Sequence, residues 1–180
     1  DWHIEQGTDG LVIAGTTGEA STLTKAEHVE VIRIAARRAA GRVPVIAGTG
    51  SNSTAQTIDL SRAVGELPVD GYLVVTPYYN KPTQEGLYRH FVAIADAVEL
   101  PLILYNVPGR TGSNMAADTT LRLAKDFKNI IAIKEASANL DQMGRILKHK
   151  PKDFMLISGD DALTLPIIAL GGVGVISVVG

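Results

Sequence analysis

The chain has 180 residues, 46% of them hydrophobic and 20% charged, and a formal net charge of −2. This is the composition of a globular protein with one sizeable core, without the basic character of nucleic-acid-binding proteins or an apolar run long enough to span a membrane. The net charge and the absence of a spanning run predict neither nucleic-acid nor membrane partners. Because cysteine is absent, disulfides, thiolate zinc sites and cysteine nucleophiles are excluded, which fits a reducing compartment, and we expect a cytoplasmic protein.

Short apolar runs alternate with amphipathic stretches along the whole chain. Seven runs predict β-strands, at Leu11–Ala14, Pro44–Gly48, Tyr72–Thr76, Leu102–Asn106, Ile130–Lys134, Met155–Ser158 and Val173–Val178. Amphipathic spacing predicts helices after the Thr24–Glu27 capping box and at about 53–66, 83–98, 117–126, 139–149 and 161–170. Strands buried on both faces and separated by helices indicate an α/β fold with a parallel sheet.

The regular alternation favours a (β/α)8 TIM barrel over an open doubly wound sheet, since no GxGxxG follows the first strand. Residues 1–7 are typical of the end of a helix capped by Gly7, and the chain stops directly after a predicted strand. We therefore expect one incomplete barrel domain over residues 1–180, lacking the first strand, the last helix and a C-terminal helical region. An open-sheet nucleotide-binding module is an alternative, but the sequence contains no phosphate loop to support it.

Lys134 stands where the apolar run Ile130–Ile133 leaves the core. Partly dry surroundings favour the neutral form of an amine, and only the neutral amine attacks a carbonyl carbon. The alternative is a structural lysine whose ammonium group extends to water.

Other unusual residues also follow predicted strands. Thr16 and Thr17 lie in a glycine-framed loop whose hydroxyls and amides can hold a carboxylate, although such loops are also ordinary turns. Tyr78 and Tyr79 follow the third strand and suit either packing or proton transfer. Tyr105 ends the fourth strand.

Two further loops extend this set. Arg110 lies in a loop shaped by proline and glycine and suits bidentate carboxylate binding, although loop arginines are often solvated. The segment Ser158–Asp161 follows the sixth strand, and its carboxylates can cap the next helix. In a barrel, the C-terminal ends of the strands gather at one rim, and this set suits Schiff-base chemistry on a 2-oxo acid.

The four histidines predict no metal site. They are dispersed over helical or surface stretches with no ligand spacing, at His3, His28, His90 and His149.

Together these motifs resemble the dihydrodipicolinate synthase family. The resemblance runs in order along the chain, over Gly15–Glu19, Tyr78–Pro82, Tyr105–Gly112, Ile133–Ala136, Ser158–Asp161 and Gly174–Ser177. It implies a (β/α)8 barrel of the class I aldolase type, a lyase that condenses pyruvate with L-aspartate 4-semialdehyde to 4-hydroxy-tetrahydrodipicolinate in diaminopimelate and lysine biosynthesis. It implies no cofactor beyond the imine on Lys134.

The resemblance also implies roles for individual residues. Lys134 would form the imine, and Tyr105 would act as acid and base, linked through Thr16 to Tyr79. In the family that last tyrosine comes from the neighbouring subunit of a dimer, which is half of a homotetramer.

Four further residues would contact the substrates. Thr17 would hold the pyruvate carboxylate and Arg110 the carboxylate of the semialdehyde, while Gly159 and Ile176 would line the pocket.

Two other functions stay open. The sister enzyme N-acetylneuraminate lyase shares the barrel, the lysine and the tyrosine, but Arg110 and the Thr16–Thr17 pair resemble the synthase. The second alternative is a non-catalytic fragment, since an incomplete barrel has unpaired sheet edges.

An allosteric lysine site is also implied, with departures from the family pattern. Four residues match it, Ala20, His28, Asn52 and Tyr78, whereas Gln56 replaces a glutamate and Lys25 a histidine. The loss of a negative charge predicts weak or absent inhibition by lysine.

Overall fold

Six parallel strands form a half-barrel in which each strand pairs with the next along the chain. They are β1 (Leu11–Ile13), β2 (Val45–Gly48), β3 (Gly71–Val75), β4 (Leu102–Asn106), β5 (Ile130–Glu135) and β6 (Met155–Ser158). The structure, a computed structural model, describes residues 1–179. The predicted parallel α/β architecture is confirmed.

Eight α-helices lie between and around these strands in the described part of the chain. They are α1 (Trp2–Glu5), α2 (Lys25–Ala39), α3 (Thr54–Gly65), α4 (Gln84–Ala95), α5 (Pro108–Thr111), α6 (Ala117–Asp126), α7 (Leu140–His149) and α8 (Thr164–Leu170). The capping box is present at the start of α2, where Thr24 Oγ1 accepts the Glu27 N–H and the Glu27 carboxylate accepts the Thr24 N–H. The six helices predicted from amphipathic spacing and the capping box are confirmed, with ends shifted by a few residues.

Alternate residues of the strands face two different cores. The helix-facing side packs into the larger core, which includes Leu102, Leu104 and Ile133. The concave side carries a smaller cluster that includes Leu73, Tyr105 and Ala132. Since side chains alternate along a strand, Tyr105 and Lys134 face the concave side and the residues after them face the helices.

The seventh predicted strand differs from the structure. The segment Val173–Val178 pairs with β6 at one point only, through a parallel bridge between Ser158 and Val175. The Val173 and Ile176 N–H groups donate to Leu156 O and Ser158 O, but Val173, Val175 and Val178 remain exposed. Hydrogen bonding on one side alone, with Gly172 and Gly174 in the segment, explains the shortened pairing.

No helix within residues 1–179 is both long and apolar enough to cross a membrane.

His90 is a buried base that the sequence places in a surface or helical stretch. Its Nδ1 lies 2.8 Å from Thr54 Oγ1 between α3 and α4, and its Nε2 has no partner in the described structure. Burial lowers the pKa of His90 to about 4. The protein therefore holds a neutral imidazole in its core.

We predict that acid destabilises the fold through His90. Between pH 6.5 and pH 4 the unfolded chain binds a proton at this side chain and the folded chain does not, so stability is lost as pH falls. His90→Gln should reduce the loss in unfolding free energy between pH 7 and pH 5 by about 2 kcal/mol, as measured by urea denaturation. The exposed His149→Gln serves as control, and equal pH dependence in His90→Gln and the parent chain would contradict the prediction.

Candidate active site

Lys134 and Tyr105 lie side by side on the concave face of the sheet. They are register partners in the pairing of β4 with β5, and Lys134 Nζ lies 4.5 Å from the centroid of the Tyr105 ring. Each side chain is 6% exposed. The structure thus brings together the predicted nucleophile and the predicted acid/base, and Lys134 does not extend to water.

Burial lowers the pKa of Lys134 below that of an ordinary lysine. The Asp161 carboxylate opposes this effect, and the Arg110 guanidinium adds to it. Burial also raises the pKa of Tyr105, against a smaller effect of Arg110. A larger share of the amine is therefore neutral at a given pH, while the phenol keeps its proton and can donate it.

Gly159 provides room for the Lys134 side chain. A Cβ atom at this position would lie 3.0 Å from Lys134 Cε and 2.9 Å from Ala136 Cβ, too close for an undisturbed side chain. Ile176 packs against the concave cluster, and its N–H donates to Ser158 O. Both predicted pocket residues therefore lie near Lys134 and its neighbours.

The threonine loop follows β1 and is exposed. Ala14, before the loop, has a φ of 54°, which is rare for a residue with a Cβ. Gly48 on β2 permits this conformation, because a Cβ there would lie 2.3 Å from Ala14 O. Thr16 and Thr17 are both exposed after this bend.

A cavity of about 670 Å³ opens beside this loop. Thr16 and Arg110 line it, together with five of the six residues predicted for allosteric control: Ala20, Lys25, His28, Gln56 and Tyr78. Asn52 is not part of the lining, and its carbonyl accepts the Asn80 side chain. Val107 lines this cavity and also packs in the cluster with Tyr105, so the two regions adjoin.

The predicted proton relay is not assembled within the described chain. Hydrogen bonds link neither Tyr105 to Thr16 nor Thr16 to Tyr79 among residues 1–179. Tyr79 is 89% exposed and has a φ of 72°, and its N–H donates to Thr111 O at 3.4 Å. Within one chain, Tyr79 is presented outward and not toward Lys134.

Sequence reasoning missed a buried polar network behind the site. The Glu135 carboxylate follows Lys134, is fully buried and accepts hydrogen bonds from Asn106, Ser137 and Gln142. Strand alternation could have revealed it, since Glu135 must face the helices if Lys134 faces inward. A carboxylate in that position requires donors.

No group of three or more His, Asp or Glu side chains in residues 1–179 could hold a metal ion.

Known proteins match the chain over its whole length. The model of the dihydrodipicolinate synthetase family matches residues 1–180. A 4-hydroxy-tetrahydrodipicolinate synthase of Halalkalibacterium halodurans is 57% identical over 175 residues, which cover 97% of this chain and 59% of that protein.

Solved structures agree with this match. Dihydrodipicolinate synthase from Aquifex aeolicus superposes with a TM-score of 0.97 at 50% identity, over 99% of this chain and 61% of that chain. The enzyme from Acinetobacter baumannii, solved with pyruvate, gives a TM-score of 0.96 at 52% identity, with the same coverage. The chain therefore spans about 60% of the length of these relatives. Because the family model matches residues 1–180, the chain belongs to the dihydrodipicolinate synthetase family.

Proposed function

We propose that this chain carries the Schiff-base site of a 4-hydroxy-tetrahydrodipicolinate synthase, a class I aldolase-type lyase. The observation that carries the proposal is the buried Lys134 amine, whose Nζ lies 4.5 Å from the centroid of the Tyr105 ring. Relatives of the chain bear the synthase name, and the Acinetobacter baumannii enzyme was solved with pyruvate.

The chemistry begins at the Lys134 amine. The neutral amine attacks the keto carbon of pyruvate, and water leaves as the imine forms. The imine withdraws electrons, so a methyl proton is lost and an enamine results. The enamine carbon then adds to the aldehyde carbon of L-aspartate 4-semialdehyde. Attack of the semialdehyde amine on the imine carbon closes the ring and releases Lys134.

The side chains around Lys134 have separate tasks. Tyr105 acts as the acid and the base. Burial keeps its phenol protonated, so it can donate this proton, and the phenolate that remains can accept one. Thr17 holds the pyruvate carboxylate, and Arg110 binds the carboxylate of the semialdehyde. Gly159 and Ile176 shape the pocket. No cofactor takes part besides the imine.

The complete site requires a second subunit. Tyr79 is exposed at the tip of its loop, a position that suits insertion into the site of a neighbouring copy, where it would join Thr16 and Tyr105 as a relay. We therefore assign a homodimer, or a homotetramer built from two dimers. The six strands belong to a (β/α)8 barrel, as the TM-score of 0.97 with the Aquifex aeolicus enzyme supports.

A substrate comparison tests the proposed function. The chain should consume pyruvate and L-aspartate 4-semialdehyde in equal amounts and release little pyruvate from N-acetylneuraminate. Faster cleavage of N-acetylneuraminate would favour the lyase. A folded chain without turnover of either substrate would favour the non-catalytic fragment.

We predict weak or absent feedback inhibition by L-lysine. Gln56 Oε1 accepts a hydrogen bond from Ser51, and the Asp59 carboxylate is paired with Lys25, so little free negative charge faces the cavity. Gln56→Glu should increase inhibition by restoring a carboxylate for the amino groups of the ligand. Turnover measured against L-lysine concentration tests this, and halving of parent turnover at millimolar lysine would contradict it.

A further inference from the structure

The helix-facing side of the sheet carries fully buried polar residues at the C-terminal ends of five strands. These residues have no measurable exposure: Thr49, Thr76, Asn106, Glu135 and Ser158. Asn106 and Glu135 are register partners on β4 and β5. Each directly follows a residue of the candidate site, Tyr105 and Lys134, which faces the opposite side.

The side chains of Asn106 and Glu135 are hydrogen-bonded to one another. Asn106 Nδ2 lies 3.0 Å from Glu135 Oε1 and 3.2 Å from Oε2, and it donates to this carboxylate. Asn106 Oδ1 accepts the Met115 N–H at 2.9 Å. The pair therefore ties β4 to β5 through side chains as well as through the sheet.

Further donors hold the Glu135 carboxylate. Gln142 Nε2 of α7 donates to Oε2 at 3.0 Å, and the Ser137 N–H donates to Oε1 at 2.9 Å. These contacts fasten the end of β5 to a helix and to the following turn. Burying a carboxyl group without hydrogen-bond partners costs free energy of folding. The network therefore favours the arrangement of β4, β5 and α7 in which Glu135 meets its donors.

The register of β4 against β5 shifts by one residue within the pairing. Leu102 pairs with Ile130, but Ile103 pairs with Ala132, so Ile131 is an extra residue on β5. Without this bulge, Tyr105 would face Ile133 and Lys134 would face Asn106. A one-residue slip would thus turn Lys134 toward the helices and Glu135 toward the concave side.

We propose that Asn106 and Glu135 form a buried clamp that selects the register in which Lys134 faces Tyr105. They are positioning residues that act through their neighbours, since neither faces the concave side. In the register without the extra residue Ile131, Glu135 would lose its hydrogen-bond donors. Lys134 would then occupy the position of Glu135 on the helix-facing side. This inference rests on the proposed function for its activity readout, but the placement of Lys134 can be measured separately.

Exchange of the two groups tests the clamp. Glu135→Gln replaces the carboxyl group with an amide of nearly the same shape, and Asn106→Asp places two carboxyl groups against one another. The double variant, Asn106→Asp with Glu135→Gln, restores a carboxylate–amide pair in reversed order. Gln142→Met removes one donor and provides a milder variant where a more disruptive one does not fold.

The first measurement is the initial rate at which borohydride traps pyruvate on the chain, divided by the folded fraction from denaturation curves. We expect each single clamp variant to lose about 10²-fold, because small displacements of reacting groups have effects of this size. The double variant should recover at least about tenfold over either single variant, as expected for a coupled pair.

The second measurement is the pH dependence of reductive methylation of Lys134 by formaldehyde and cyanoborohydride, read by peptide mass spectrometry. A loosened β5 end admits water to Lys134, which raises the pKa of its amine toward that of an ordinary lysine. The midpoint of methylation should therefore move to higher pH in the single variants and return in the double variant.

Ser61→Ala provides the matched control. Ser61 donates to Thr49 at 2.8 Å in a fully buried pair on the same face of the sheet, away from Tyr105 and Lys134. Its loss should lower stability without altering trapping per folded molecule or the methylation midpoint.

The results separate the clamp from the proposed function. Two results would overturn the clamp. The first is a Glu135→Gln variant whose trapping rate stays within about twofold of the parent and whose methylation midpoint is unchanged. The second is a double variant that recovers no trapping rate over the single variants. No trapping in the parent chain counts against the proposed function alone, since methylation still reports the placement of Lys134.

Discussion

Replacing Lys134 with methionine is expected to lower turnover by roughly 10³-fold or more and to abolish covalent capture of pyruvate. The amine is the proposed nucleophile, and methionine fills a similar volume without it. The unfolding free energy at pH 7 should stay the same or rise. Burial lowers the pKa of Lys134, which means that its charged form is disfavoured in the folded state, and methionine removes that penalty.

Lys148→Met on the exposed side of α7 serves as the control and should leave turnover and capture unchanged. Steady-state kinetics and urea denaturation of the same samples decide the outcome. A Lys134→Met protein that still traps pyruvate would contradict the assignment, and marked destabilisation would point to a structural lysine.

Tyr105→Phe is the second large effect that we expect. The variant keeps the aromatic ring beside Lys134 but removes the hydroxyl that supplies and accepts protons. Turnover should fall by roughly 10²- to 10³-fold, the usual range for loss of a general acid or base. The KM for pyruvate should change little, because Thr17 and Arg110 are the groups assigned to the carboxylates.

Tyr88→Phe is a matched control, since it removes a phenol that donates to Asp126 on the outer helices. It should affect stability slightly and turnover not at all. Equal turnover in Tyr105→Phe and Tyr88→Phe would remove Tyr105 from the chemistry.

Much of this fold follows from local patterns in the sequence. The runs that end in Tyr105 and Lys134 are buried strands, as their apolar composition predicts, and parallel pairing places both residues at the same end of the sheet. The capping box at Thr24 marks the start of α2 to the residue. These features are local, which is why composition and spacing reveal them.

Features that depend on several segments were not predictable in this way. The extra residue Ile131 in β5 and the partners of Glu135 arise from packing between β4, β5 and α7. The short pairing of Val175 reflects hydrogen bonding on one side alone within residues 1–179, which the apolar composition does not reveal. The exposure of Tyr79 likewise depends on a loop with a positive φ at that residue.

The central claim is that Lys134 forms an imine with pyruvate, and one measurement tests it most directly. The chain is incubated with pyruvate, reduced with borohydride, digested and mapped by mass spectrometry. We predict a gain equal to the mass of pyruvic acid less one oxygen atom, located on the peptide that contains Lys134. A folded chain that gains no mass, or gains it at another lysine, would contradict the claim.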